Sequence, residues 1–146
     1  MSNRILSVLL LSVLFSCAKK GGHENLSFKD SVKLDQYLVE GRDLYLTNCS
    51  NCHQKDGKGL GKLYPPLNNS DYLVDNVDAV ICLIRNGMSG EITVNGVEYN
   101  QPMPEMPNLT ALEIAEITTY IYNNWTLKEG LVGVKRVEQV LETCSK

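Results

Sequence analysis

The sequence predicts a mainly α-helical domain with one small β-hairpin and an extra helix at its C-terminal end. Three observations carry that prediction. Apolar residues recur near helical spacing in separate stretches, around 31–48, 77–85, 111–125 and 134–143. Thr110 and Glu113 stand three apart before one of them, the pattern of a reciprocal N-terminal cap. Asn95-Gly96 separates Ile92-Thr93-Val94 from Val97-Glu98-Tyr99, the signature of a tight two-residue hairpin. With 146 residues, 43% of them apolar and 21% charged, the chain has the composition of one folded domain with extras at its ends.

Residues 1–16 read as a secretory signal: Arg4 is the sole early cation, and an apolar run extends from Ile5 to Phe15. The run is shorter than the roughly 20 apolar residues a spanning helix needs. Leu14-Phe15-Ser16-Cys17 resembles a bacterial lipobox, in which cleavage leaves the cysteine first and acylated. Cys17 is therefore the expected lipidation site, with plain secretion the alternative; more than one acyl chain would anchor stably. Residues 17–30 are polar, contain Gly21-Gly22 and His23, and read as a flexible tether. Residues 31–146 form the expected domain. Leu34, Leu38 and Tyr45, joined by Val32 and Leu44, predict a helix from about Ser31 to Asn48. The segment 54–69, with Gly57, Gly59, Gly61, Pro65 and Pro66, is loop chemistry. A short apolar helix follows over Val77–Arg85, ended by Asn86-Gly87. After the hairpin, Leu112, Ala115, Ile117, Ile121 and Trp125 give the capped helix its apolar side. A last helix over Val134–Thr143 aligns Val137, Val140, Leu141 and Cys144.

The chemistry sits at the end of the first helix. Cys49-Ser50-Asn51-Cys52-His53 is the attachment pattern of a c-type haem. The two-residue spacer lets both sulfurs reach the vinyl groups on one porphyrin edge while His53 comes round to ligate iron. A zinc site would need a second ligand pair, and the only other histidine, His23, lies in the polar tether. There is no second such motif, so one covalent haem c is expected. Of the five cysteines, Cys82 and Cys144 then remain. They pair as a disulfide in an oxidising compartment, or stay as buried thiols acting as small hydrophobes.

The sixth iron position decides between electron transfer and gas binding or catalysis. The candidates are Met88, Met103 and Met106. Met103 lies between Pro102 and Pro104, immediately before the capped helix, and the prolines reduce what this loop loses in entropy on folding. Met106 also precedes a proline and is the alternative.

Gly41-Arg42-Asp43-Leu44-Tyr45 leading into the haem motif, the Tyr64-Pro65-Pro66-Leu67 loop, and Val94-Asn95-Gly96 followed by Tyr99-Asn100-Gln101-Pro102-Met103-Pro104 together resemble a class I monohaem cytochrome c. The similarity is to the small domains associated with haem-copper oxidases and quinoprotein dehydrogenases, and it covers roughly Leu34 to Trp125. It implies the cytochrome c fold, in which the first and last core helices cross, Gly41 permits their close approach, and Tyr45 packs near Ile117, Tyr120 and Ile121. It implies that the Pro65 carbonyl accepts the proximal imidazole N–H, that Leu67 packs on the ring, and that Met103 is the sulfur ligand. Arg85 is either a propionate partner or an exposed helix-end charge.

The expected function is electron transfer through one haem held by Cys49 and Cys52 with His53/Met103 ligation, outside the cytoplasm and anchored to a membrane through Cys17. The alternatives are a gas-binding or sensing domain, or a haem enzyme subunit, with a displaceable sixth ligand. Redox proteins are the expected partners, docking transiently or within a respiratory complex. The formal charge of −3 and the absence of clustered cations exclude nucleic acid.

Overall fold

The structure is a computed structural model that describes residues 28–125 and 127–144. The expected signal, Cys17 and His23 lie outside the described residues. Helix α1 spans Phe28–Asn48, and a single turn, α2, spans Ser50–His53. After a long loop and a 3-10 turn at Asp71–Leu73 come α3 (Val77–Asn86), strands β1 (Ile92–Val94) and β2 (Val97–Tyr99), α4 (Ala111–Asn124) and α5 (Val134–Thr143). The mainly helical fold and its hairpin agree with the expectation. Among the described residues no helix is long and apolar enough to cross a membrane.

The first helix starts at Phe28, so residues 28–30, grouped with the tether on composition, are helical. Ser31 Oγ donates to the Phe28 carbonyl at 2.8 Å, and Asp30 lies in the first turn, where a negative charge suits the helix dipole. The buried stripe of α1 is Tyr37, Gly41 and Tyr45, four residues apart. Leu34, Leu38 and Leu44 flank that stripe half-buried, and Val32 is exposed. A glycine and a tyrosine give little hydrophobic signal, which is why the periodicity points beside the true centre.

Gly41 is the crossing point. A Cβ there would run into the Glu116 carbonyl and sit 2.9 Å from the Tyr120 Cβ, so only glycine lets α1 and α4 approach this closely. The aromatic rings behind the crossing are those of Tyr45, Tyr120 and Trp125. Tyr45 and Tyr120 lie 5.4 Å apart and Tyr45 and Trp125 5.7 Å, the latter edge-on. In α4 the Thr110–Glu113 capping box is complete. Its buried residues include Ile114, Ala115, Ile117 and Ile121, whereas Leu112 is 45% exposed. One residue into the helix, Leu112 points away from the crossing and does not belong to the apolar side assigned to it.

Strands β1 and β2 pair antiparallel, Ile92 with Tyr99 and Val94 with Val97. Asn95 takes the left-handed conformation the turn requires (φ 51°). Its amide oxygen accepts from the Asp71 N–H at 3.0 Å, and its own N–H donates to the Asp71 carboxylate at 2.8 Å. The hairpin is thereby fixed to the 3-10 turn.

The last segment is fully integrated. Val132 and Val137 are completely buried. The Val132 N–H donates to Thr119 Oγ1 at 3.1 Å, and Asn123 bonds both ways with the Gly130 backbone. Helix α5 packs on both α3 and α4, and Cys144 is disulfide-bonded to Cys82. The buried-thiol alternative for this pair does not hold in the structure.

Candidate functional site

An apolar cleft, partly open to solvent, lies between the haem-motif turn, the loop that follows it, α3, the hairpin and the Met103 loop.

On one side the geometry is local. Cys49 caps the end of α1, and its carbonyl accepts from the Cys52 and His53 N–H groups at 3.2 and 3.0 Å. The chain therefore coils tightly, and Cys49, Cys52 and His53 all face the cleft. Both thiols are free and half-buried. Gln54 then adopts a positive φ of 61°, and its carbonyl is taken by the Tyr45 hydroxyl at 2.6 Å, tying the turn back to α1. The Gly59 N–H donates to the His53 carbonyl at 3.0 Å, and the Leu67 N–H to the Gly57 carbonyl at 2.7 Å. A Cβ at Gly59, where φ is +68°, would strike the Tyr64 carbonyl. These bonds deliver Pro65 to His53, whose Nδ1 lies 3.0 Å from the Pro65 carbonyl.

A carbonyl can only accept, so Nδ1 carries the proton and Nε2 keeps a free lone pair. Burial lowers the His53 pKa and the bond to Pro65 opposes that shift. Its ring is thus prepared as a neutral ligand with a fixed tautomer. Burial, and then the neighbouring Cys52, push the Cys49 thiol up to about 12. A dithiol redox catalyst needs the opposite, a thiol with a lowered pKa. Among the described residues no group of three or more His, Cys, Asp or Glu is placed to hold a metal ion.

The structure brings Met103 and Met88 to the same cleft. Their backbones exchange both hydrogen bonds at 2.9 Å, and directly opposed residues of an antiparallel pair project to one face. Met106 is not among the cleft-lining residues; its N–H donates to the Arg85 carbonyl at 3.2 Å. Arg85 is the basic residue of the last turn of α3, where the sequence offered a helix-end charge. Half-buried at the end of α3, it donates from Nη1 to the Pro107 carbonyl at 2.6 Å and so holds the Met103 loop from beyond the methionine. Leu67 lines the cleft. Sequence reasoning left out the walls: Val80, Leu83 and Ile84 of α3, and Ile92, Val94 and Tyr99 of the hairpin. Their signal was the alternation of Ile92 and Val94, which marks one inward face of the ribbon.

These residues fit a covalently attached haem. Two unpaired thiols, an imidazole with an available Nε2 and the thioethers of Met88 and Met103 line one apolar slot. Cys82 and Cys144 lie outside the slot's lining.

Comparison with known proteins agrees with this geometry. The family model described as cytochrome c matches residues 38–125. Cytochrome c-552 of Thermus thermophilus is 29% identical over 101 residues, which cover 66% of this chain and 76% of that protein. The cytochrome c subunit of alcohol dehydrogenase (quinone) from Gluconacetobacter polyoxogenes is 29% identical over 109 residues, 72% of this chain and 23% of the subunit. The subunit of the same name from Gluconobacter oxydans strain 621H is 29% identical over 106 residues, 70% of this chain and 22% of its own length. The chain thus spans less than a quarter of those dehydrogenase subunits.

Proposed function

Because the chain belongs to the cytochrome c family, whose members carry covalent haem and transfer electrons, we propose that it is a one-haem electron carrier with His53 and Met103 as axial ligands. Haem c supplies the ferric/ferrous couple when bound. The work of the protein is to hold the ligand set constant and dry. The observation that carries this reading is the His53 Nδ1–H bond to Pro65 in an apolar cleft that Met103 also lines. Cys49 and Cys52 hold the group by thioethers. The Pro65 carbonyl keeps the imidazole oriented and basic. Met103, a neutral sulfur donor, favours the reduced state and raises the potential relative to nitrogen or oxygen ligands.

Placement outside the cytoplasm follows from the haem motif and the N-terminal signal 1–16, and anchoring follows from Cys17 and the polar tether after it. Residues 31–146 form the electron-transfer domain. The matched dehydrogenase subunits support a redox protein as partner, met in the small interface usual for such encounters.

Spectra of the haem-loaded protein test the ligand set. Met103→Ala is expected to lose the sulfur-to-iron charge-transfer band and to fall in midpoint potential, while Met106→Ala keeps both. The opposite pattern would move the ligand to Met106. A five-coordinate iron in wild type would end the carrier reading in favour of gas binding.

A further inference from the structure

The Met103 loop is bonded to the C-terminal turn of α3 and to Met88 just after it. Met103 exchanges two hydrogen bonds with Met88, the Met106 N–H donates to the Arg85 carbonyl, and the Arg85 guanidinium holds the Pro107 carbonyl. Gly87, with φ +69°, lets the loop pass against it; a Cβ there would sit 2.6 Å from the Met103 carbonyl oxygen. Cys82 lies one helical turn before Arg85, on the same short helix whose Val80, Leu83 and Ile84 wall the cleft. It is bonded to Cys144 at the end of α5, with Cα atoms 5.5 Å apart.

Helix α5 is itself held elsewhere, through fully buried Val137 and through Arg136, which donates to Asp78 of α3 at 2.9 Å. Asp78 and Arg136 are exposed, so that ion pair contributes little. The disulfide adds a covalent tie between α3 and the α5 segment to the packing of buried Val137. The family match covers residues 38–125, so Cys82 lies inside the matched region and Cys144, its partner, beyond it.

We infer that Cys82 and Cys144 are positioning residues for the sixth iron ligand: their disulfide clamps the C-terminal turn of α3 and thereby keeps Met103 seated. This rests on Met103 being the ligand. A covalent link that closes a loop of 62 residues would also stabilise the fold simply by restricting the unfolded chain. The two roles separate because release of a ligand loop is a local opening, whereas restriction of the unfolded chain affects only global unfolding.

The test compares the haem-loaded full chain with Cys82→Ala/Cys144→Ala, reading carbon monoxide capture by the reduced protein, the sulfur-to-iron band of the oxidised protein, and the urea midpoint. Wild type is expected to capture slowly. The variant, still carrying haem, is expected to capture about tenfold faster and to lose its sulfur band at lower temperature than wild type, as for a loop freed from a cross-link. If the variant's urea midpoint falls while its capture rate and band match wild type, the bond is only a chain cross-link and the inference is overturned. Fast capture by wild type would instead overturn the Met103 assignment, and the clamp with it. Should the double variant fail to accumulate, Cys144→Ala leaves the Cys82 side chain packed in α3 and breaks the same bond: faster capture then supports the clamp, and capture at the wild-type rate overturns it.

Discussion

The two sides of the cleft are built on different principles. On the histidine side, Cys49, Cys52, His53 and Pro65 lie within one short stretch, and their bonds run between near neighbours such as Gly59 N–H to the His53 carbonyl. On the methionine side, Met103 is bonded by Met88 and its loop by Arg85, which reach it from another helix and its exit, and that helix is held in turn by a disulfide to Cys144. The histidine side is therefore specified by a local segment and the methionine side by tertiary packing. Local opening should affect the second long before the first.

Perturbing each side should bring out that asymmetry. The largest effect is expected from Cys49→Ala/Cys52→Ala, which removes both thioethers: haem should run off the polypeptide on denaturing gels. Haem that stayed attached would contradict the role given to these thiols. A matched pair of smaller changes sharpens the contrast. Gly59→Ala and Gly87→Ala each force a left-handed φ on alanine, at about 1–2 kcal/mol, and each drives a Cβ against backbone, Tyr64 or Met103 respectively. Urea midpoints should fall in both. Only Gly87→Ala should speed carbon monoxide capture; equal capture by the two variants would erase the distinction between the sides.

The smallest effect is expected away from both walls. Thr110→Ala removes the cap of α4 and should cost roughly 0.5–2 kcal/mol by denaturant titration, with the sulfur-to-iron band unchanged. Hydrogen bonds from the Thr110 backbone and hydroxyl hold the Glu113 carboxyl below its ordinary pKa. A carboxylate lowered in the folded state stabilises above its unfolded pKa and loses that contribution as pH falls through the folded one. The gap between wild type and Thr110→Ala should accordingly narrow in acid, because part of the box has then already gone; a constant gap would mean that the carboxylate contributes nothing.

The same division explains what is legible in the sequence. The haem motif, the Asn95-Gly96 turn and the Thr110–Glu113 box are encoded within a few residues, and the turn and the box stand in the structure where those residues put them. The span of the last helix is legible for the same reason, since its apolar face is periodic. What escapes depends on distant partners. Tyr37 and Gly41 centre α1 only because α4 crosses there, and Arg85 serves Pro107 only because the loop returns to the end of α3. Met88 gives no sign of its pairing with Met103, since a lone bridge between distant residues leaves no periodic trace. The resemblance to cytochromes c supplies Pro65 and Gly41, which periodicity would pass over.

The crossing at Gly41 also bears on the order in which the molecule is made. A chain lengthening from its amino end presents α1 and both thiols well before the helix that α1 packs against has been synthesised. Until α4 arrives, Tyr45 has neither Tyr120 nor Trp125 to rest on, and a lone helix with so few buried partners is marginal in water. The haem-binding turn is therefore reachable in a nascent, unclosed chain, and the late closing of α4 over α1 marks the end of that interval.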